Sequence, residues 1–135
     1  MSQKGEMLYE GKAKQIFLTE NPEEVIVRFK DDATAFNAQK RGQVDKKGEM
    51  NNVITTLIFE YLKEKGIETH FIKQIDEREQ LVRKVSIIPI EVVVRNYSAG
   101  SMAQRLGIEE GLKSPVTIFD ICYKKDELGD PLIND

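Results

Sequence analysis

Glu91 and Arg95 stand four positions apart in the run Ile90-Glu91-Val92-Val93-Val94-Arg95. The β-branched alternation predicts a strand, and alternation puts the carboxylate and the guanidinium on one face. At about 3.3 Å per residue they are roughly 13 Å apart, too far for a direct ion pair and far enough to admit a ligand. Ser98-Ala99-Gly100 follows, small residues that let backbone come close to a bound group. Ser101, with Gln104 three positions on, reads as the cap of a short helix that Gly107 ends. The first N–H groups of a helix lack partners, so strand, small loop and helix start predict an anion site flanked by Arg95 and Arg105.

A second candidate lies near the start, at Gly11-Lys12-Ala13-Lys14. Glycine lets backbone approach a phosphate, and lysine is a mobile point charge suited to polyphosphate. The G-x-x-x-x-G-K-[ST] spacing of a Walker A loop is absent, and a solvated hairpin tip is the competing reading. Glu91, in a strand built for burial, needs a partner: an ion pair, or magnesium, which takes one or two carboxylates plus phosphate oxygens. Asp31, Asp32 and Thr34 fit a metal or a turn, with the turn preferred. Asp126, Glu127 and Asp130 form an acidic cluster of the usual solvated kind. His70 is the only histidine, which leaves no histidine-based triad or histidine-rich metal site. It reads as a packing residue, and Cys122 as a buried one.

These residues must be positioned by elements that the pattern also predicts. Met7–Tyr9, Gln15–Thr19 and Val25–Phe29 read as a strand meander, with the glycine and two lysines at its first bend. Lys30–Ala35 reads as irregular, leading to a charged loop that ends near Gly48. Met50, Val53, Ile54, Leu57, Ile58, Tyr61 and Leu62 recur at helical spacing, so one continuous apolar face is expected to pack on the sheet, and Gly66 ends that helix. Thr69–Lys73 and Gln80–Val85 read as strands around an Asp76-Glu77-Arg78 bend, and Val116–Tyr123 as another. The expected fold is α+β, a mostly antiparallel sheet on one long helix. A first lobe would run over 1–86, and 87–135 would begin a second α/β lobe.

The 135 residues suit one core and the start of a second. A 40% apolar and 32% charged composition is that of a globular chain. A net charge of −3 argues against a general nucleic-acid binder. A single cysteine excludes an internal disulfide and fits a reducing compartment. No apolar run reaches the length of a membrane span and no signal-peptide core opens the chain, so no membrane association and a cytoplasmic location are expected.

Glu10-Gly11-Lys12-Ala13-Lys14, Phe29–Ala35, Thr69-His70-Phe71, Ile88–Asn96, Ala99-Gly100-Ser101, Arg105–Gly111 and Asp130-Pro131, in this order, resemble the SAICAR synthetase (phosphoribosylaminoimidazole-succinocarboxamide synthase) family of purine biosynthesis. The resemblance covers essentially the whole chain and is most specific from Pro89 to Gly111. It implies ATP-dependent ligation of L-aspartate to the carboxylate of carboxyaminoimidazole ribonucleotide, giving SAICAR, ADP and phosphate, with Mg2+ at the phosphates. The first lobe would be similar to a kinase or ATP-grasp small lobe. ATP would lie between the lobes, its phosphates at Gly11, Lys12, Ala13 and Lys14 and its adenine against the backbone near Lys84 to Ile88, with Lys84 and Ile87 as contacts. Glu91 would be a catalytic or magnesium-binding carboxylate. Arg95, Gly100, Ser101, Arg105 and Asp130 would hold the ribonucleotide, Arg95 also serving catalysis, and Asp32 would be a further site member.

The loop at Asn37 departs from the family pattern, and no metal role is assigned there. Family chains continue past Asp135 with acidic segments that complete the ATP site, so an N-terminal fragment, inactive by itself, is expected. The resemblance leaves a homo-oligomer open. The competing functions are another ATP-dependent kinase or ligase and a non-catalytic nucleotide-binding module.

Overall fold

A computed structural model describes residues 4–35 and 40–133. The Asn37 position and the chain's last two residues fall outside them. The chain divides into two compact units, Met1–Val85 and Ser86–Asp135.

The first unit is built on five antiparallel strands. β1 (Met7–Glu10), β2 (Lys14–Leu18) and β3 (Glu24–Phe29) follow one another as the expected meander. β6 (Phe71–Gln74) and β7 (Glu79–Arg83) return along the other edge, giving the order β1-β2-β3-β7-β6. In register, Val25 faces Val82 and Val27 faces Gln80, so these four side chains share one face of the sheet. Val25, Val27 and Val82 are its buried centre, with Ile16, Leu18 and Phe29 packed around them.

Residues 30 to 46 depart from the irregular path expected there. β4 (Asp32–Ala35) pairs with β5 (Lys40–Gln43) as a separate two-stranded ribbon. Both strands are short and lack large apolar residues, so a hydrophobicity pattern does not show them.

The helix α1 (Lys47–Glu64) has the expected extent and ends at Lys65 and Gly66, the latter at φ 76°. Its orientation is the principal correction. Gly48, Asn52 and Thr56 are buried, whereas Met50, Val53, Ile54, Leu57, Ile58 and Tyr61 are each more than 40% exposed. The apolar stripe therefore points away from the sheet within this unit. Helix and sheet meet through a polar seam instead. Gln80 Nε2 donates to the Asn52 carbonyl at 3.1 Å and to Thr56 Oγ1 at 3.0 Å, and Asn52 Nδ2 donates to the Asp76 carbonyl at 2.8 Å. Phe59 completes the contact, stacked 5.5 Å from Phe71 and edge-on to His70.

The seam can be this close because Gly48 has no side chain. A Cβ there would stand 2.6 Å from the Phe29 carbonyl oxygen and 2.9 Å from Arg78 Nη1. Beside it, Arg78 forks onto both oxygens of Asp31 at 2.8 and 2.9 Å and reaches Glu49 at 3.0 Å. The Gly48 N–H donates to the same Asp31 carboxylate at 2.8 Å.

The second unit holds β8 (Ile90–Tyr97), α2 (Gly100–Leu106) and β9 (Lys113–Tyr123). β8 and β9 pair antiparallel, with a register shift between Arg95 and Tyr97. One face carries Val93, Arg95, Asp120 and Cys122; the opposite face presents Ile90, Val92, Val94 and Phe119, all exposed within this unit.

Gly48→Ala tests the close approach. In an open helix this change would add stability. Here it is expected to lower the free energy of unfolding by about 1–3 kcal/mol in a urea titration, because a methyl group would strike backbone. The Asp31 junction predicts a pH effect. Hydrogen bonds from Arg78 first, and from the Gly48 N–H second, hold the Asp31 carboxyl below its ordinary 3.8. The stabilisation is complete above that ordinary value and is lost as pH falls through the folded one. Thermal melts should show a midpoint falling below about pH 4, with a shallower acid limb in Asp31→Asn.

Candidate functional site

The Gly11–Lys14 turn is closed by the Gly11 N–H donating to the Lys14 carbonyl at 2.8 Å. The Lys30 N–H holds the Ala13 carbonyl at 2.8 Å, anchoring the turn to the end of β3. The Tyr9 ring lies against Gly11, where an added Cβ would come within 3.1 Å of its hydroxyl oxygen. Lys12 and Lys14 are exposed, and neither ammonium has a partner among the described residues. Nearby Lys30 shows the contrast: Glu10 at 2.7 Å and Asp32 at 2.6 Å occupy its ammonium. Asp32 is thus engaged by Lys30, with Gln43 at 3.4 Å. Two unpaired cations on a tethered turn leave a positive field for an anion.

Lys14 also acts on His70. The imidazole is pushed below its ordinary 6.5, by burial first and by the Lys14 charge second. Further along, the Lys84 N–H donates to the Glu23 carbonyl at 2.8 Å, and Ile87 and Ile88 are 85% and 73% exposed.

In the second unit the expected helix start is built differently. Ala99, extended at φ −160°, is the residue before α2, and no side chain caps it. Ser101 lies inside the helix, exposed, and its hydroxyl has no hydrogen-bond partner among the described residues. The Gly100 N–H donates to Glu110 Oε1 at 2.8 Å, so a carboxylate of the chain itself meets the helix start. Gly107 ends the helix at φ 63°, as its spacing predicted.

Ser98, rather than Ser101, organises the loop. Its hydroxyl donates to the Glu109 carbonyl at 2.7 Å and accepts from the Leu112 N–H at 2.9 Å. Its own backbone N–H and carbonyl bond Leu112 and Gly111.

Glu91 and Arg95 take separate partners. The Glu91 carboxylate is half exposed and lies 3.5 Å from Lys124, whose ammonium also binds Asp130. The strand is not buried around Glu91, contrary to expectation: Ile90, Glu91 and Val92 are all exposed. Lys124 thus gathers Glu91 and Asp130, and its pKa is raised, chiefly by Asp130. Arg95 Nε donates to Asp120 Oδ2 at 3.1 Å, and Arg105 Nη2 lies 3.6 Å from that oxygen.

Asp120 and Lys124 were not anticipated from sequence. A carboxylate in the apolar run Ile118-Phe119-Asp120-Ile121 was the available signal, since such a group requires a partner. No group of three or more His, Cys, Asp or Glu among the described residues could hold a metal ion.

A family model for SAICAR synthetase matches residues 7–135. The chain belongs to the SAICAR synthetase family. A phosphoribosylaminoimidazole-succinocarboxamide synthase of Clostridium botulinum (strain Eklund 17B / Type B) is 62% identical over 132 residues, which are 98% of this chain and 56% of that protein. The crystal structure of the Ehrlichia chaffeensis synthase superposes with a TM-score of 0.91 at 49% identity, covering 96% of this chain and 55% of the other. A SAICAR synthetase in complex with ADP gives 0.87 at 43% identity, with the same coverage. The chain thus spans about half the length of the relatives it matches. The α+β, mostly antiparallel architecture is that of the SAICAR synthetases. No helix among the described residues is long and apolar enough to cross a membrane.

His70 makes the field at Lys14 measurable. As the only histidine, it gives one imidazole titration by proton NMR. Its midpoint is expected below 6.5. Lys14→Ala should move it up part of the way, because burial remains. Neutral His70 stabilises the fold above pH 6.5, and this contribution is lost as pH falls through the folded value.

Proposed function

We propose that this chain carries the ATP-phosphate cradle and the substrate anchor of an ATP-dependent, amide-forming ligase that makes SAICAR. In the reaction, the terminal phosphoryl group of ATP passes to the carboxylate of carboxyaminoimidazole ribonucleotide. The amino group of L-aspartate then attacks the acyl carbon, phosphate leaves with the transferred oxygen, and the amine gives up a proton. One observation carries the reading. The turn with two unpaired ammoniums, Lys12 and Lys14, belongs to a family in which a 43% identical member was solved with ADP.

On this reading Gly11 and Ala13 bring backbone close to the nucleotide while Lys12 and Lys14 offset the charge of its phosphates. The adenine lies along Lys84 to Ile88, where Ile87 offers exposed apolar surface. Arg95 and Arg105 hold the ribonucleotide's phosphate, with the Ser101 hydroxyl and the Gly100 backbone beside it. Glu91 is the active-site carboxylate and Asp130 a substrate contact, both gathered by Lys124. Magnesium accompanies the ATP phosphates, and Glu91 is the carboxylate of this chain that would face it. The setting is the cytoplasm, and the partners are small molecules.

Calorimetric titration of the chain with MgATP tests the cradle. Lys12→Ala and Lys14→Ala should each weaken binding about tenfold or more, the scale of a charge-assisted hydrogen bond. Nucleotide bound at Lys14 should raise the His70 midpoint by offsetting the nearby charge. Unchanged affinity in both variants removes the cradle. With about half the relatives' length, the chain alone should release no ADP that depends on both aspartate and the ribonucleotide. Release needing the ribonucleotide but not aspartate would identify a kinase instead.

A further inference from the structure

We propose that Asp120 is the positioning residue of the anion anchor in the second unit. It holds two arginines from different elements so that they present one preformed phosphate-monoester site. The proposal rests on the reading of Arg95 as the substrate's phosphate ligand.

Asp120 is 7% exposed, within the apolar run Ile118-Phe119-Asp120-Ile121-Cys122 of β9. An unpaired carboxylate there would cost heavily. Arg95 from β8 and Arg105 from α2 meet this need through one oxygen, Oδ2, at 3.1 and 3.6 Å. The register explains the form of the first contact. Val93 stands opposite Asp120, and Arg95 stands opposite Ile118, so Arg95 reaches Asp120 along the diagonal. At that offset the contact is made through Nε alone.

The consequence is chemical. With Nε engaged, both terminal nitrogens of Arg95 remain free to fork onto a second group. Arg105 adds a second guanidinium at the same carboxylate oxygen. Two guanidiniums and one carboxylate leave a net single positive charge, which favours an anion. The arginines are also ordered before it arrives, so less rotamer freedom is lost on binding. A carboxylate acting only as counter-charge would predict the reverse, because its removal would strengthen anion binding.

The test titrates the 135-residue chain with ribose 5-phosphate by calorimetry, with ribose as the uncharged control. The variants are Asp120→Asn, Arg95→Ala and the double substitution. Asp120→Asn should weaken ribose 5-phosphate binding about fivefold or more, and in the Arg95→Ala background the same substitution should cost less than it does in the wild type, because only Arg105 is left for Asp120 to position. Unchanged or tighter binding in Asp120→Asn overturns the proposal, as does a full additional loss in the double variant. Wild-type chain that ignores ribose 5-phosphate overturns the anchor reading itself and the proposal with it, and this outcome is visible without any variant. A second measurement covers an Asp120→Asn chain that fails to fold. The Arg95 Nε–H of the wild type should give a slowly exchanging nitrogen-15 resonance, and a rapidly exchanging one overturns the pinning.

Discussion

The guanidinium of Arg78 ties together three segments that are remote in sequence. It forks onto Asp31 at the exit of β3, touches Glu49 in the first turn of α1, and sits in the bend that opens β7. Its own carbonyl accepts from the Phe29 N–H, so backbone and side chain fix the same corner. A lysine could not hold this arrangement, because the contact with Asp31 uses two parallel donors in one plane. The group is partly exposed, so its value lies in geometry more than in Coulomb energy. It sets the starting point of the helix, and Gly48 then lets the helix sit against β3.

Much of this unit was readable in advance, because the signals were local. The meander, the length of α1 and its glycine stop each follow from neighbouring residues. The face that α1 buries was not readable. Periodicity tells which side chains share a stripe, and Asn52 and Thr56 looked like the solvent side. Their partner, Gln80, lies on a strand that inserts beside β3 only after the chain has made the helix and β6. A polar seam of this kind depends on long-range pairing, which no window of sequence contains. The β4–β5 ribbon escaped for a related reason, since it has no large apolar side chain to mark a strand.

The candidate site divides along the same line. The two lysines and their glycine were found from composition and spacing, and their freedom from ion pairs is a matter of what surrounds them. Ser101 carried a capping pattern, yet Ala99 precedes the helix, and Glu110 takes the first N–H from across the loop. Ser98 takes the organising role through hydroxyl bonds to residues more than ten positions away. Arg95 was singled out, but its partner Asp120 became known only once β9 was laid beside β8 in register.

The polar seam under α1 bears on how the first unit responds to temperature. Exposing apolar surface on unfolding raises the heat capacity, while exposing polar surface lowers it, with a usual net of about 12–15 cal/mol/K per residue. Docking this helix buries amide and hydroxyl groups beside the valines of the sheet, while Met50, Val53, Ile54, Leu57 and Ile58 of the helix stay exposed within the unit. Both facts reduce the heat-capacity increment of undocking. The free energy of the helix–sheet contact therefore varies less with temperature than that of an oily interface of equal area, and it keeps more of its strength in the cold, where hydrophobic contacts weaken.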